Sequence, residues 1–493
     1  MSKKIAVIGA GLGGLAVSLL LNKQGHDVKI FEKNEAVGGK INNLAGNGFR
    51  FDMGASLVTM PFVLKELFQL LDLNINDYIQ INKLEIITKY FYPDGVSINA
   101  YSNIDKFIDE IKIKTTEKEQ NVKNYFQYSK RIYELTSDLF IFNDFTSIAK
   151  LFNKKGLKTL FNIMKIDPFR TIHQANSSFF TDSKVLQLFD RYATYNGSNP
   201  YKAPATLNII PYVEYFLGGY YFSEGMYSLI NVLENLCNDN KIQILKNSEV
   251  TRISFSPNNP SFLIANGQKY EFDYIISNSD VNHTFTNLLN DSDSYETKRN
   301  NKNLASSSAL VFYWGVNGNY PQLEIHNILF SENYFEEFAQ IFDKKQLFDD
   351  PTIYIYISSK FNQTDAPSGC ENWFVMINTP ENLGQDWPKI IERYRPLIIN
   401  KIKNLTGINI KDNIIFESIL TPETIEKTTL SSYGSIYGIS SNTKSAAFLR
   451  QKNRSRTYPN LFFVGGSVHP GGGIPLVLSS AIIVSKMFEE MND

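Results

Sequence analysis

Apolar and polar positions follow three rhythms along the chain. At the start, Ile5–Ile8 is an unbroken apolar run, followed by Gly9, Gly11 and Gly14, an apolar stretch of helical length, and a second run, Val28–Phe31, that ends at Glu32. A continuous apolar run bounded by turn residues predicts a strand buried on both faces, so the order reads strand, glycine turn, helix, strand. In the middle, "GGYYFSEGMYSLINVLENLC" predicts a glycine turn and a helix. After it come the short alternating runs "KIQILKNSEVTRISF", "SFLIANG" and "KYEFDYIISNSD", which predict strands with a hairpin at Asn266–Gly267. At the end, "NLFFVGGSVHPGGGIPLVLSSA" places five glycines and two prolines between a strand-like and a helix-like apolar run.

Between these three pieces lie a mostly helical, Lys- and Phe-rich stretch from about 101 to 190 and a mixed stretch from about 300 to 435, with no internal repeat or low-complexity linker. The economical expectation is an α/β protein whose cofactor domain is assembled from residues 1–80, 218–299 and 436–493. Residues 81–217 and 300–435 would then form an α+β substrate domain with a helical insertion.

The first glycines stand in the G-x-G-x-x-G spacing of a Rossmann-like turn. There the first glycine makes the turn, the second lets backbone approach a pyrophosphate, and the third lets helix and strand pack closely. Glu32, ending the second strand, is placed to take both hydroxyls of an adenosine ribose, and its charge would repel a 2′-phosphate. FAD or NAD is therefore expected rather than NADP. The terminal glycines read in two ways: as a turn needing positive φ angles, or as a backbone surface cleared for a flat or anionic ligand at a helix N-terminus.

Composition narrows the partners. A chain of 493 residues, 43% hydrophobic, can bury a large core. A net charge of −1 offers no basic surface for nucleic acid. Cys237 and Cys370 lack a Cys-x-x-Cys partner, and five histidines form no convincing cluster, so neither a disulfide scaffold nor a metal site is expected. No run of roughly twenty apolar residues appears, and the first strand starts at about the third residue, where a signal peptide would lie. The 36 Phe and 27 Tyr suit a long apolar cavity or an aromatic-rich core.

The fingerprint from Gly9 to Lys40, "GFRFDMGASLVTMPFVLKELF", "RYATYNGSNPYKAPATLNIIPYVEY", "YIISNSDVNHTF" and "NLFFVGGSVHPGGGIP" together resemble the bacterial phytoene-desaturase type of carotenoid desaturase, within the amine-oxidase-like flavoproteins. "LVTMPFVLKELF" and "ATYNGSNPYKAPAT" look most like the hydroxycarotenoid 3,4-desaturases. The resemblance implies FAD held by Gly9, Gly11, Leu12, Gly13, Gly14, Glu32, Lys33, Gly39, Lys40, Gly54, Ala55, Val250, Gly465, Gly466, Gly473, Ile474 and Pro475. It implies a helix from about Pro475 aimed at the flavin N1 and C2 carbonyl, with His469 fixing the turn. Three positions depart from the family pattern: Lys40 stands where relatives carry Arg, Gly54–Ala55 for Gly-Pro, and Ser467–Val468 where a Thr is common before His469.

The implied reaction is desaturation of a carotenoid by hydride transfer from an allylic carbon to flavin N5, most specifically at C3–C4 of a 1-hydroxycarotenoid, with oxygen or a quinone as electron acceptor. A phytoene desaturase, an isomerase or oxidase of the same family, and a prenyl-lipid carrier are the other readings; the intact Gly9, Gly11, Gly14 and Glu32 speak against the carrier. No proton-accepting residue is identified: His173, Asp190 and Glu214 lie in the inserted regions, where each reads as structural. A bilayer-borne substrate implies a cytoplasmic protein peripherally docked on the membrane. The candidate surface is Ser147–Ile166, with five lysines and no acid. Leu157, Leu160, Phe161 and Met164 recur on one side, and Lys150, Lys154 and Lys158 on another. The same stripe would equally suit a helix hairpin broken at Gly156 and packed on the substrate domain.

Overall fold

The computed structural model describes residues 2–140, 163–256, 259–442 and 450–492. A five-stranded sheet carries the dinucleotide fingerprint. Its strand order is Leu461–Phe463, Tyr274–Ser277, Lys4–Ile8, Asp27–Phe31, Gln243–Leu245, and every pairing is parallel. Four of the five residues in Lys4–Ile8 are buried, as a central parallel strand covered on both faces requires. Helix Leu12–Lys23 is buried from Leu12 through Leu21, packed against helices Ile474–Asn492 and Ser228–Asp239. That burial explains why its sequence shows no polar stripe. Gly14 makes the packing possible: a Cβ there would stand 2.1 Å from the Gly9 carbonyl oxygen.

Beside this sheet lies a three-stranded antiparallel one, Val250–Ser256, Asn259–Ala265 and Gln268–Phe272. Its second hairpin turns at Asn266 (φ 49°) and Gly267 (φ 76°), the pair of positive φ angles that a two-residue turn of matching twist demands.

The rest of the molecule is built on a seven-stranded mixed sheet, ordered Ile414–Leu420, Ser308–Asn317, Cys370–Thr379, Ile353–Tyr356, His326–Leu329, Ile86–Phe91, Ser97–Tyr101. Nine of the ten residues in its strand Ser308–Asn317 are buried. Helix Ile104–Lys114 packs on the edge strand Ser97–Tyr101, and helices Glu119–Phe140 and Ser183–Asp190 share with it an aromatic core that includes Phe107, Tyr125, Phe126, Phe189 and Tyr215. Tyr125 and Phe189 meet with ring centroids 4.4 Å apart, and Phe107 and Tyr215 at 4.5 Å. Much of the aromatic content thus fills a core, as one of the two sequence readings had it.

Of the lysine-rich candidate surface, residues 147–162 lie outside the described residues, while Ile163–Ile166 form a 3-10 turn. No helix among the described residues is long and apolar enough to cross a membrane.

Candidate functional site

One cavity of about 930 Å³ is lined by residues from the five-stranded, three-stranded and seven-stranded sheets. It opens at the carboxyl ends of strands Lys4–Ile8 and Asp27–Phe31, where a doubly wound sheet places its ligands. Gly9 (φ +93°) turns the chain out of the first strand, and its N–H donates to the Phe31 carbonyl at 2.8 Å. Leu12 and Gly13 begin the helix and line the cavity.

Glu32, only 4% exposed, holds the neighbouring turn as well as ending its strand. Its Oε2 accepts from the Ala10 N–H at 2.8 Å, and its Oε1 accepts from both the N–H and Nδ2 of Asn34 at 2.9 Å. An ionised carboxylate has about four acceptor directions, so capacity is left for a ligand hydroxyl.

Lys33 and Lys40 are turned to protein carbonyls. Lys33 Nζ donates to Lys427 O at 2.6 Å, and Lys40 Nζ donates to Ser435 O at 2.9 Å and Ile436 O at 3.1 Å. Lys40 faces the open cavity, and partial desolvation among its neighbours lowers the ammonium to about 8, with the Asp280 charge opposing. Gly54 (φ +107°) lies two residues after Asp52, and a Cβ there would stand 2.1 Å from Lys40 O; Ala55 and Val250 complete this part of the wall. The antiparallel hairpin of strands Asn42–Gly46 and Phe49–Met53 is fixed by the buried Asp52 carboxylate, which accepts from Arg50, the Met226 N–H and the Tyr356 hydroxyl at 2.8–3.0 Å.

The terminal glycines face the same cavity from the other side. Gly465 (φ +104°) donates its N–H to Ser480 Oγ at 2.9 Å, which ties the turn to helix Ile474–Asn492. At Gly473 (φ +101°) nothing lies within 4 Å of where a Cβ would stand, and at Gly39 and Gly466 the only such neighbour is another glycine Cα at 3.4 Å. These three positions present bare backbone to the cavity. Pro475 occupies the first turn of the helix, where its missing N–H costs nothing. Positive φ and close approach therefore occur together, so the two readings of the terminal glycines are not exclusive. Ser467 Oγ accepts from the Val281 N–H at 3.1 Å, Val468 is fully buried, and the His469 carbonyl accepts from Asn453 Nδ2 at 2.9 Å.

One residue of this site escaped the sequence reading. Asn278 follows strand Tyr274–Ser277 and is wedged between the two glycine turns. Its Nδ2 lies 2.8 Å from where a Cβ on Gly11 would stand, and its Oδ1 lies 2.7 Å and 2.8 Å from those of Gly13 and Gly465. Its Nδ2 also donates to Gly9 O at 3.3 Å. The signal was an amide directly after a predicted central strand.

Beyond the glycine turns the wall is apolar and aromatic, with Ile209, Val213, Ile328, Phe374 and Met376 facing Tyr195 and Tyr354. His173, Asp190 and Glu214 do not line it. His173 Nδ1 lies 2.6 Å from Asp190 Oδ2, which raises the imidazole above its usual range, and Glu214 accepts from the hydroxyls of Tyr192 and Tyr195. Cys237 is buried, and burial pushes its thiol up to about 12. No group of three metal-ligating side chains occurs among the described residues.

The comparisons agree with this geometry. The profile of the family "Flavin containing amine oxidoreductase" matches residues 12–306. Over 99% of this chain and the whole of the relative, the sequence is 42% identical to a 1-hydroxycarotenoid 3,4-desaturase of Flavobacterium sp. (strain P99-3). It is 33% identical to a 4,4'-diaponeurosporene oxygenase of Staphylococcus aureus (strain bovine RF122 / ET3-1), over 97% of each chain. Putrescine oxidase bound to putrescine shares the fold at a TM-score of 0.65 and 11% identity, covering 100% of this chain and 99% of that one. An oxidoreductase from Methanosarcina mazei does so at 0.65 and 16% identity, covering 98% and 100%. With the fingerprint, both glycine turns and the full-length relatives in agreement, the chain belongs to the flavin-containing amine oxidoreductases, in the group of the carotenoid desaturases, as an FAD-dependent oxidoreductase.

Proposed function

We propose that the protein introduces the C3–C4 double bond of a 1-hydroxycarotenoid. The observation that carries this reading is the continuity of the cavity. One space joins Glu32 and both glycine turns to an apolar, aromatic wall, so a long hydrocarbon can lie with its end beside the N-terminus of helix Ile474–Asn492. The full-length similarity to a 1-hydroxycarotenoid 3,4-desaturase supports the choice of substrate and bond.

In this reading residues 1–80, 218–299 and 436–493 form the Rossmann-like FAD domain, and residues 81–217 and 300–435 the substrate domain. The parallel sheet that draws strands from all three of the former segments supports that division. Gly9, Gly11, Leu12, Gly13 and Gly14 bring the helix N-terminus to the pyrophosphate, and Glu32 accepts from the ribose hydroxyls. Gly39, Gly466 and Gly473 let backbone lie flat against the cofactor. Gly54, Ala55 and Val250 close the adenosine side, while Lys33 and Lys40 brace the loops around it through backbone carbonyls.

FAD supplies a hydride acceptor, and everything else is positioning. The dipole of helix Ile474–Asn492 favours negative charge at its N-terminus, and the apolar wall excludes water from the reacting carbons. Oxidation removes a hydride from one carbon and a proton from its neighbour, leaving the new double bond.

The test is anaerobic mixing of the purified holoprotein with a 1-hydroxycarotenoid. Flavin bleaching with a red-shifted polyene lighter by two hydrogens is expected; no bleaching, or preference for phytoene, would refute the assignment. In a parallel reaction with air admitted, a product gaining an oxygen atom would instead favour the second reading, an oxygenase, which the similarity to the diaponeurosporene oxygenases supports.

The substrate lives in the bilayer, so we also assign a peripheral membrane face, with residues 147–166 as the sequence-based candidate. Changing Lys150, Lys154 and Lys158 to Glu should abolish co-sedimentation with anionic vesicles while FAD content stays normal. Undiminished sedimentation would place that face elsewhere.

A further inference from the structure

The substrate half of the cavity holds a polar patch that hydride transfer does not use. Arg191, His326 and Tyr334 come from three separate elements and are 7%, 2% and 6% exposed. The Arg191 guanidinium is paired with Glu214 at 3.8 Å, flanked by the rings of Tyr90, Tyr192 and Tyr195, and donates through Nη2 to the Tyr90 hydroxyl at 2.8 Å. Its Nε makes no hydrogen bond, and neither does His326 Nε2 or the Tyr334 hydroxyl, although all three atoms are buried.

Buried polar atoms are rarely left without partners, because each then forfeits its hydration for nothing. Other side chains here carry such atoms, among them Tyr125 and Tyr215 in the aromatic core, but among the described residues only Arg191, His326 and Tyr334 also line the cavity. The coincidence of three orphaned atoms on one wall indicates a ligand that supplies the missing partners.

We propose that Arg191, His326 and Tyr334 form a specificity subsite that binds the hydroxyl oxygen at the end of the substrate, an inference that rests on the carotenoid reading above. A tertiary hydroxyl donates once and accepts twice, which matches one acceptor and two donors. His326 Nδ1 lies 2.8 Å from the Tyr354 hydroxyl, which lies 2.6 Å from Ser56 Oγ. With the proton on Nδ1 donated to Tyr354, and Tyr354 donating to Ser56, Nε2 is left as the acceptor. Burial next to the Arg191 charge holds the imidazole neutral, pushed down to about 3, as that role needs. The N–H of Arg191 and the O–H of Tyr334 are the donors.

The position suits the chemistry as well. The carbon bearing a 1-hydroxyl is two bonds from C3, so its binding groups must stand near the point where hydride leaves. Tyr437 lines the same cavity as Arg191, and its ring lies 3.1 Å from where a Cβ on Gly472 would stand in the terminal turn.

The test compares kcat/KM for a 1-hydroxycarotenoid, its 1-methoxy ether and the carotene lacking that oxygen, on the unaltered holoenzyme and on Tyr334→Phe and His326→Phe. A site built around a hydroxyl rejects analogues that leave its polar groups unpaired. On the unaltered enzyme the hydroxylated substrate should be preferred over both analogues by at least about tenfold, and each variant should lower that ratio by about tenfold. Tyr334→Phe removes a single oxygen, and the methoxy substrate probes the site with no mutation, so misfolding cannot stand in for the effect. A ratio unmoved by either variant, or equal turnover of all three substrates, would overturn the subsite alone. Absence of flavin bleaching with every carotenoid would overturn the carotenoid reading and the subsite with it.

Discussion

The two halves of the cavity are made of different material. The half nearest Glu32 is built of backbone: Gly39, Gly466 and Gly473 offer bare peptide, and side chains such as Glu32 and Asn278 brace the turns. The other half is built of side chains, in which Arg191, His326, Tyr334 and Tyr354 from distant segments converge on one apolar wall. A backbone-built surface loses ligand contact with any added methyl, while its peptide groups themselves do not titrate. A side-chain-built surface tolerates reshaping but carries buried groups whose protonation matters. The first suits a cofactor that never changes, the second a substrate that distinguishes one family member from another.

The largest effect should come from adding one carbon to the backbone-built half. In Gly14→Ala the new Cβ would stand 2.1 Å from Gly9 O, so helix Leu12–Lys23 must lift off its strand. A loss of about 3 kcal/mol in urea unfolding is expected, together with loss of FAD. Gly473→Ala sharpens the contrast: its methyl meets only open space, so the fold should lose about 1 kcal/mol from backbone strain while FAD affinity falls more steeply. Equal loss of stability in the two variants would break the distinction between packing glycines and ligand-facing ones.

Next comes Glu32→Gln. The substitution keeps the volume but removes the charge that accepts from Ala10 and Asn34. Charge-assisted bonds contribute about 1.5–3 kcal/mol each, so FAD affinity measured by flavin fluorescence should fall at least tenfold, an effect of about 1.4 kcal/mol or more. Unchanged affinity would remove Glu32 from the site.

The substrate half should reveal itself through pH. The folded-state pKa of His326 is depressed from 6.5 to about 3, so between those values the unfolded chain binds a proton that the folded chain refuses. Stability therefore falls as pH falls. The His326 share amounts to about 1.4 kcal/mol between pH 8 and pH 5.5. His26 and His283 are also depressed by burial, and the difference between the unaltered protein and His326→Phe isolates the contribution of His326. Identical urea midpoint shifts over that range would show that His326 is solvated.

The smallest effect is expected where the two turns meet. Asn278→Ala removes the amide wedged between Gly11, Gly13 and Gly465, and should cost about 1 kcal/mol and a few-fold in FAD affinity. Loss as large as that of Gly14→Ala would mean that Asn278 organises the fold rather than joining two finished turns.

The amino-acid sequence alone determined the pieces whose chemistry is local. The strand, Gly9–Gly14, helix and Glu32 were legible because a phosphate-binding turn needs particular backbone angles within a few residues. The hairpin at Asn266–Gly267 was legible for the same reason, since both residues must adopt positive φ. Lys40 was legible only in part: it lines the cavity, but a flexible ammonium takes whichever acceptors tertiary packing brings within reach, here the carbonyls of Ser435 and Ile436. Only the tertiary structure decided which strand-terminal amide, Asn278, would join two turns whose glycines, Gly13 and Gly465, lie 452 residues apart. It alone placed Arg191, His326 and Tyr334 on one wall. Side chains from separate elements meet only when sheets and helices pack, and orphaned polar atoms are defined by the partners that packing withholds, which no local pattern records.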